Sequence, residues 1–280
     1  MDLSVVIPIY HTAKNAVVHL PGVIHHLRKH LDAFEILFII DNENIDEDIK
    51  GLFILQQTYP EILIRQLRKN HGQHFATLCG YYLAKGNYIL SIDEDMTKYI
   101  PEVCKSEEYK KYDVYYWFYD KNTMYTSDIR KAFSILFKLL IEKIVNFQKN
   151  STFRTINRDL RNKLIKEKHI FWNLDIMIFD NTQNTGGIHI DQFDVKDDES
   201  SYNYNKLLKV AIEIPYEHNT IFMNLLIALI PSFLYQMICH NPPGALLVYG
   251  ITFFIIHSFF LALKYLTPPT EKKIQGAILS

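Results

Sequence analysis

Three consecutive carboxylates, Asp93, Glu94 and Asp95, stand directly behind a short apolar run at residues 88–92, bounded upstream by Gly86-Asn87. The run has the length and composition of a buried strand. Side chains alternate across a strand, so its continuation puts Asp93 and Asp95 on one side and turns Glu94 away. Two carboxylates converging at the end of a buried strand repel each other unless a cation lies between them. Hard oxygen donors of this kind suit Mg2+ or Mn2+, and Mg2+ completes its shell with waters and substrate phosphates. In open α/β sheets, ligands bind just beyond the carboxyl ends of the strands. A solvated acidic turn is the competing reading of the triplet alone.

The elements upstream decide between the two. Leu3–Ile9 and Phe34–Ile40 read as buried strands, the second ending in Asp41-Asn42, with a helix over 15–30 between them interrupted by Pro21. A helix over 47–59, a strand over 62–67 and a helix over 74–83 lead into the acidic stretch. Strands alternating with helices predict a mostly parallel, doubly wound sheet. Such a sheet gathers Tyr10, Asp41, Lys69-Asn70-His71 and the acids 93–95 along one edge, which favours the metal reading.

Farther on, residues 113–119 are aromatic and β-prone. Residues 128–146 carry Ile129, Phe133, Leu136, Phe137, Leu140 and Ile144 at helical spacing, with Lys131, Lys138 and Lys143 elsewhere on the surface. That pattern fits a helix at a lipid interface or one packed on the sheet. A helix is expected over 160–168, and a polar loop, mobile without ligand, over 180–205. Residues 207–214 then lead into two uncharged runs, 222–239 and 244–263. Each is close to the roughly 20 residues that a helix needs to cross a bilayer.

Only His240-Asn241-Pro242-Pro243 separates these runs, so residues 219–266 are expected to form a tight transmembrane hairpin. Pro231 is better tolerated there than in a soluble helix. Lys264, Lys272 and Lys273 follow the second run while the turn carries no Lys or Arg, which puts both chain ends in the cytoplasm. The expected organisation is a cytosolic domain over 1–215, the hairpin, and a cytosolic tail over 267–280, in a multi-pass protein of the cell membrane. A buried hairpin in a soluble core is the alternative.

With 280 residues, 48% of them hydrophobic, and a formal net charge of −1, the chain lacks the basic excess of a nucleic-acid binder. Cys79, Cys104 and Cys239 form neither a zinc pattern nor a disulfide framework, which favours a reducing compartment. The first residues, MDLSVVIPIY, have no basic segment before their short apolar run and do not read as a signal peptide.

Taken together these stretches resemble glycosyltransferase family 2, of GT-A fold, and within it the polyprenyl-phosphate glycosyltransferases. Residues 4–10, SVVIPIY, match that family's first strand, and 38–46, FIIDNENID, stand in place of its nucleotide-binding acidic segment. Residues 68–102 follow its longest signature and end in the Asp-x-Asp of Asp93 and Asp95, with Pro101-Glu102 trailing. Phe153-Arg154 with Arg158 is similar to its Phe-Arg-x-x-x-Arg element, and Ser200 with Tyr202 to a late Ser-x-Tyr. The resemblance implies a Rossmann-like, mostly parallel sheet flanked by helices, with the two C-terminal spans as membrane anchor.

It further implies inverting transfer from a nucleotide-sugar donor to a polyprenyl phosphate, with Mg2+ or Mn2+ held by Asp95 and Asp93. Asp93, Asp95 and Arg154 become the expected catalytic residues. Pro8, Tyr10, Asp41, Lys69, His71, Gln73 and Arg158 become the expected donor-binding set. The membrane is the expected partner; self-association into a homo-oligomer stays open.

The chain departs from the family pattern at His11-Thr12, where Asn-Glu is usual, and at Asp41-Asn42-Glu43-Asn44, where Asp-Asp-Gly-Ser is frequent. Thr97 stands where a metal-assisting Gln is common, Thr152 where an acid often precedes the Phe-Arg pair, and Val195 and Asp198 where Arg and Gly are expected. These changes bear on donor identity more than on reaction class. The missing acid at Thr152 also favours one acceptor. A hydroxyl must lose a proton to attack, whereas a phosphate monoester, with a second pKa of about 6, is already ionised. The alternatives are transfer to a saccharide or lipid hydroxyl, with Glu94 or the acids 197–199 as base, and a degenerate scaffold that binds without catalysis.

Overall fold

The computed structural model of the chain describes residues 1–43, 47–118, 151–168, 173–190, 220–239 and 242–278. The helix expected over 128–146, the acids 197–199 and the Ser200–Tyr202 element lie outside the described residues, as do Val195 and Asp198.

Alternation along β1 (Leu3–Ile9) builds both halves of the core. Leu3, Val5, Ile7 and Ile9 pack on one face against Ala16, Leu20, Val23, Ile24 and Leu27 of α1 (Lys14–His30). Val6 faces the other way, toward Phe75, Leu78 and Cys79 of α3 (Gln73–Leu83). A strand covered on both faces is largely apolar, and the buried polar residue of β1, Ser4, donates its hydroxyl to the Glu35 carboxylate at 2.6 Å. Instead of breaking at Pro21, α1 continues through it; a proline there removes one backbone donor and leaves the apolar stripe intact.

The remaining elements of the domain are β2 (Phe34–Ile40), α2 (Glu47–Thr58), β3 (Ile62–Gln66), β4 (Tyr88–Ser91), α4 (Ile100–Lys105), β5 (Val114–Phe118), β6 (Arg154–Asn157), α5 (Arg158–Lys166), α6 (Leu174–Asn181) and β7 (Thr185–His189). The strands form one seven-stranded sheet in the order β3-β2-β1-β4-β6-β5-β7. Every pairing is parallel except those of β6, which runs against β4 and β5. The mostly parallel sheet expected from the sequence is therefore present.

Two local expectations need correction. Strand β4 stops at Ser91, and residues Glu94–Tyr99 form a 3-10 turn. Strand alternation thus does not carry through the acidic triplet; Asp93 caps the turn with extended backbone. Within the stretch expected as a loop, Thr185–His189 is a strand paired in parallel with β5. Its TGGIH sequence has little strand propensity, and its glycines make the pairing possible. A Cβ at Gly186 would lie 2.6 Å from the Tyr112 ring, and one at Gly187 would lie 2.6 Å from that of Phe118. Aromatic side chains occupy the space that side chains on β7 would fill.

Beyond the sheet, α7 (Thr220–Cys239) and α8 (Pro242–Leu266) pack along one another, and the Ser232 hydroxyl donates to the Ala245 carbonyl at 2.7 Å. Among the described residues one helix, α8, is long and apolar enough to cross a membrane. The stretch expected as a tail holds α9 (Thr270–Ala277), which docks on α3 and α5 with Ile274 fully buried.

Candidate active site

The carboxyl ends of β1, β2 and β4 meet at one sheet edge, and the chain leaves each of them through polar residues. Asp93, directly beyond β4, accepts from the Gln73 amide at one carboxylate oxygen and from the Thr152 hydroxyl at the other, at 2.8 Å. Pro8, Gln73, His74, Asp93, Thr152 and Arg154 line a single small cavity. Asp95, on the 3-10 turn, is exposed.

Thr152 was legible only as the absence of an acid. Its hydroxyl fixes the rotamer of Asp93, a positioning role that no spacing in the sequence announces. Glu94 points toward α1. Its carboxylate accepts from the Ala16 backbone N–H at 3.0 Å and from the Asn15 amide at 3.3 Å, at the start of α1. It fills the capping role that Ala13 has no side chain to perform. Burial pushes the Glu94 carboxyl up, and those two hydrogen bonds oppose the shift. A carboxylate used in this way is withdrawn from the base role considered for it.

Asp41 follows β2 and is 3% exposed. One oxygen accepts from the His71 N–H at 2.8 Å and the other from the Gly72 N–H at 2.7 Å. Burial raises its pKa and the two N–H groups pull it back. Both oxygens thus hold the loop of Lys69 to Gly72, which gives Asp41 a positioning role beside the expected donor residues of that loop. Gly72 has φ of 93°, a conformation open to glycine, and there the chain turns into α3. His71 Nδ1 sits 2.6 Å from the Lys69 carbonyl. A carbonyl only accepts, so that nitrogen carries the proton. The ring stacks on Phe75 with centroids 4.7 Å apart, and Lys69 itself is exposed. Tyr10, 44% exposed just past β1, lies against the His11 ring. It presents an open aromatic face.

The two arginines part company. Arg154 opens β6 opposite Ser91, but its guanidinium is 2% exposed and paired with Asp175 of α6. The arginine expected among the catalytic residues is thus a buried cation paired with a carboxylate inside the domain, beneath the cavity that it lines. Its neighbours complete a polar layer beneath the site: Tyr81 lies 2.9 Å from the Ser91 hydroxyl, and the Leu174 N–H donates to His74 Nδ1 at 3.2 Å. That bond makes Nδ1 of His74 the acceptor, and burial lowers its pKa, so the ring is neutral. Arg158 is at the opposite end of the sheet. Because β6 is antiparallel to β4, Asn157 pairs with Tyr88, and Arg158 reaches the carbonyls of Lys85 and Gly86 ahead of β4. It therefore lies apart from the other residues of the expected donor set and joins α5 to the β4 entry.

Thr97, where a metal-assisting group was sought, is fully buried. No group of three His, Cys, Asp or Glu side chains converges among the described residues. The donors at the strand end are therefore two carboxylates, one held by neutral partners and one open. Such a set fits a hard divalent cation that draws its remaining ligands from a bound phosphate.

Residues 4–154, more than half of the chain, match the model of glycosyl transferase family 2, and the chain belongs to that family. Over 117 residues it is 30% identical to an undecaprenyl-phosphate 4-deoxy-4-formamido-L-arabinose transferase of Pectobacterium atrosepticum, a match covering 40% of this chain and 35% of that one. The match thus spans about a third of the relative's length. Among solved structures, glucosyl-3-phosphoglycerate synthase of Mycobacterium tuberculosis, crystallised with Mn2+, UDP-glucose and phosphoglyceric acid, has a TM-score of 0.51 at 13% identity, covering 77% of this chain and 79% of that one. Mannosyl-3-phosphoglycerate synthase of Rubrobacter xylanophilus has a TM-score of 0.50 at 14% identity, covering 76% and 71%. At those identities the likeness is one of fold.

Proposed function

We propose that this chain is a membrane-anchored, inverting glycosyltransferase that moves a sugar from a nucleotide-sugar donor to a polyprenyl phosphate. The observation that carries the reading is the occupation of the strand end. Asp93 and Asp95 stand there with Thr152 in place of an acid, and the adjacent carboxylates of Glu94 and Asp41 are taken by backbone N–H groups. An acceptor that arrives ionised suits such a site. The family membership and the undecaprenyl-phosphate relative support the same acceptor class.

In this mechanism a phosphate oxygen of the lipid attacks the anomeric carbon as the bond from that carbon to the nucleotide diphosphate breaks. The configuration inverts and the nucleoside diphosphate leaves. A divalent cation held by Asp95 and Asp93 would supply charge neutralisation on that departing diphosphate. Gln73 and Thr152 keep Asp93 aimed into the cleft. Tyr10 offers a face to the base, and Lys69 a point charge to a phosphate. The apolar, outward-facing α8, with α7 beside it, would hold the chain in the bilayer next to its lipid substrate. At 25 residues α8 exceeds the roughly 20 that a span requires. The lysines at 264, 272 and 273 favour a cytoplasmic catalytic domain.

The test is incubation of membranes containing the protein with a panel of radiolabelled nucleotide sugars, with polyprenyl phosphate and polyprenol offered in parallel. Label is expected in the lipid extract with the phosphate alone. Label on the polyprenol or on a saccharide hydroxyl, and none on the phosphate, would replace this reading with the hydroxyl acceptor. No transfer to any acceptor, with nucleotide binding retained, would leave a non-catalytic scaffold.

A further inference from the structure

The stretch after α8 is tied to the candidate donor loop itself. Thr267 closes α8, with its N–H and hydroxyl both donating to the Leu263 carbonyl at 2.9 and 2.7 Å. Pro268-Pro269 then leaves few backbone conformations before Thr270. Thr270 is fully buried, and its N–H and hydroxyl both donate to the Glu167 carbonyl beyond α5, at 3.1 and 2.6 Å. Ile274 enters the core between α3 and α5, and the Gln275 amide reaches the Tyr82 hydroxyl at 2.9 Å. At the far end, Ile278 forms an antiparallel bridge with Leu67, and the Ala277 carbonyl accepts the Arg68 N–H at 2.8 Å.

That last pair of contacts is placed where it matters. β3 is the edge strand of the sheet, and Ile278 covers its open side where the strand runs out. Arg68 is held by Ala277, and His71 is held by Asp41 at 2.8 Å. Only Lys69 and Asn70 lie between the two grips. The Lys69 ammonium can serve one phosphate position only if the backbone carrying it is held on both sides.

We propose that α9 with Ile278 is a positioning element of the Lys69–Gly72 loop, coupling the end of the membrane helix to the donor site. The part that concerns the donor rests on the function proposed above; the part that concerns the loop does not. Orientation of the sugar donor and of the bilayer are set by one short, stiff connection. A donor loop pinned in this way is fixed in its height above the membrane in which the acceptor phosphate lies.

Two variants of the full protein in lipid nanodiscs test this, one ending after Gly276 and one carrying Ile274→Glu, with Ile274→Val as the conservative control. Amide exchange at His71 and Gly72 is expected to rise by about tenfold or more in both variants and to stay at the parent rate in the control. The donor KM is expected to rise about tenfold with kcat changed less than about twofold. A role in stability alone would instead lower the amount of active protein and leave KM where it was. If the variant ending after Gly276 retains parent exchange at His71 and Gly72, the coupling is overturned, whether or not Ile274→Glu folds. If the unsubstituted protein turns over no nucleotide sugar, it is the proposed function that fails, and the exchange measurement still decides the coupling.

Discussion

Asp95→Ala is expected to lower sugar transfer by about a thousandfold while leaving the protein as stable as its parent. The size follows from what the residue would do: removing preorganised charge stabilisation at a departing group costs about a hundred- to a thousandfold in kcat. The contrast with stability follows from exposure. Asp95 lies on the outer side of the 3-10 turn, and surface substitutions away from caps and pairs stay within about 0.5 kcal/mol. Turnover of a labelled nucleotide sugar and thermal unfolding of the same preparation measure both sides. Asp95→Asn, which keeps the shape and loses the charge, is expected to be nearly as inactive. Parent-level activity in both variants would remove Asp95 from the chemistry.

Asp175→Ala should produce the opposite signature, a large loss of stability. The Arg154 guanidinium is 2% exposed and Asp175 is 7% exposed, so truncation strands a cation beneath the sheet. Breaking a buried pair from one side costs about 3–5 kcal/mol. In a domain of this size that lowers the melting temperature by about 10 °C. Replacing both partners at once, Arg154→Met with Asp175→Leu, should recover most of the loss, because no charge is then left without a partner. Thermal unfolding of the single and double variants in detergent checks it. A single variant that melts with the parent would mean that Arg154 finds another counter-charge.

The difference between these two acids shows which parts of the site the sequence reveals. Hydrophobic runs and their spacing report burial, so β1 and β2 have the bounds that their apolar runs suggested. The order of elements reports parallel pairing. The place of an acid just past the end of a strand is also readable, as with Asp93. Partners far apart in the chain are not. Nothing in the local sequence ties Asp175 to Arg154 or Thr152 to Asp93, and nothing announces that Asp41 spends both oxygens on the backbone of a loop thirty residues on.

Arg154 and Arg158 illustrate the same point geometrically. A spacing of four suggests one helix face, yet a strand occupies the interval and sends the two residues to opposite ends of the sheet. β7 was hidden by its glycines, which are poor strand formers and good neighbours for aromatic rings. α9 was hidden by its polarity: in TEKKIQGA the buried positions are Thr270, Ile274 and Ala277. Its docking depends on backbone carbonyls at Glu167 and Ala277 that no residue type encodes.

The proposed mechanism stands on a divalent cation that Asp95 and Asp93 would hold and that would neutralise the charge of a bound nucleotide diphosphate. Isothermal titration of the purified protein with a nucleoside diphosphate, in Mn2+ and again in excess EDTA, tests this most directly. Affinity is predicted to fall by at least about tenfold without the cation, and Asp95→Ala is predicted to bind equally weakly in either buffer. Equal affinity of the parent protein with and without Mn2+ would contradict it.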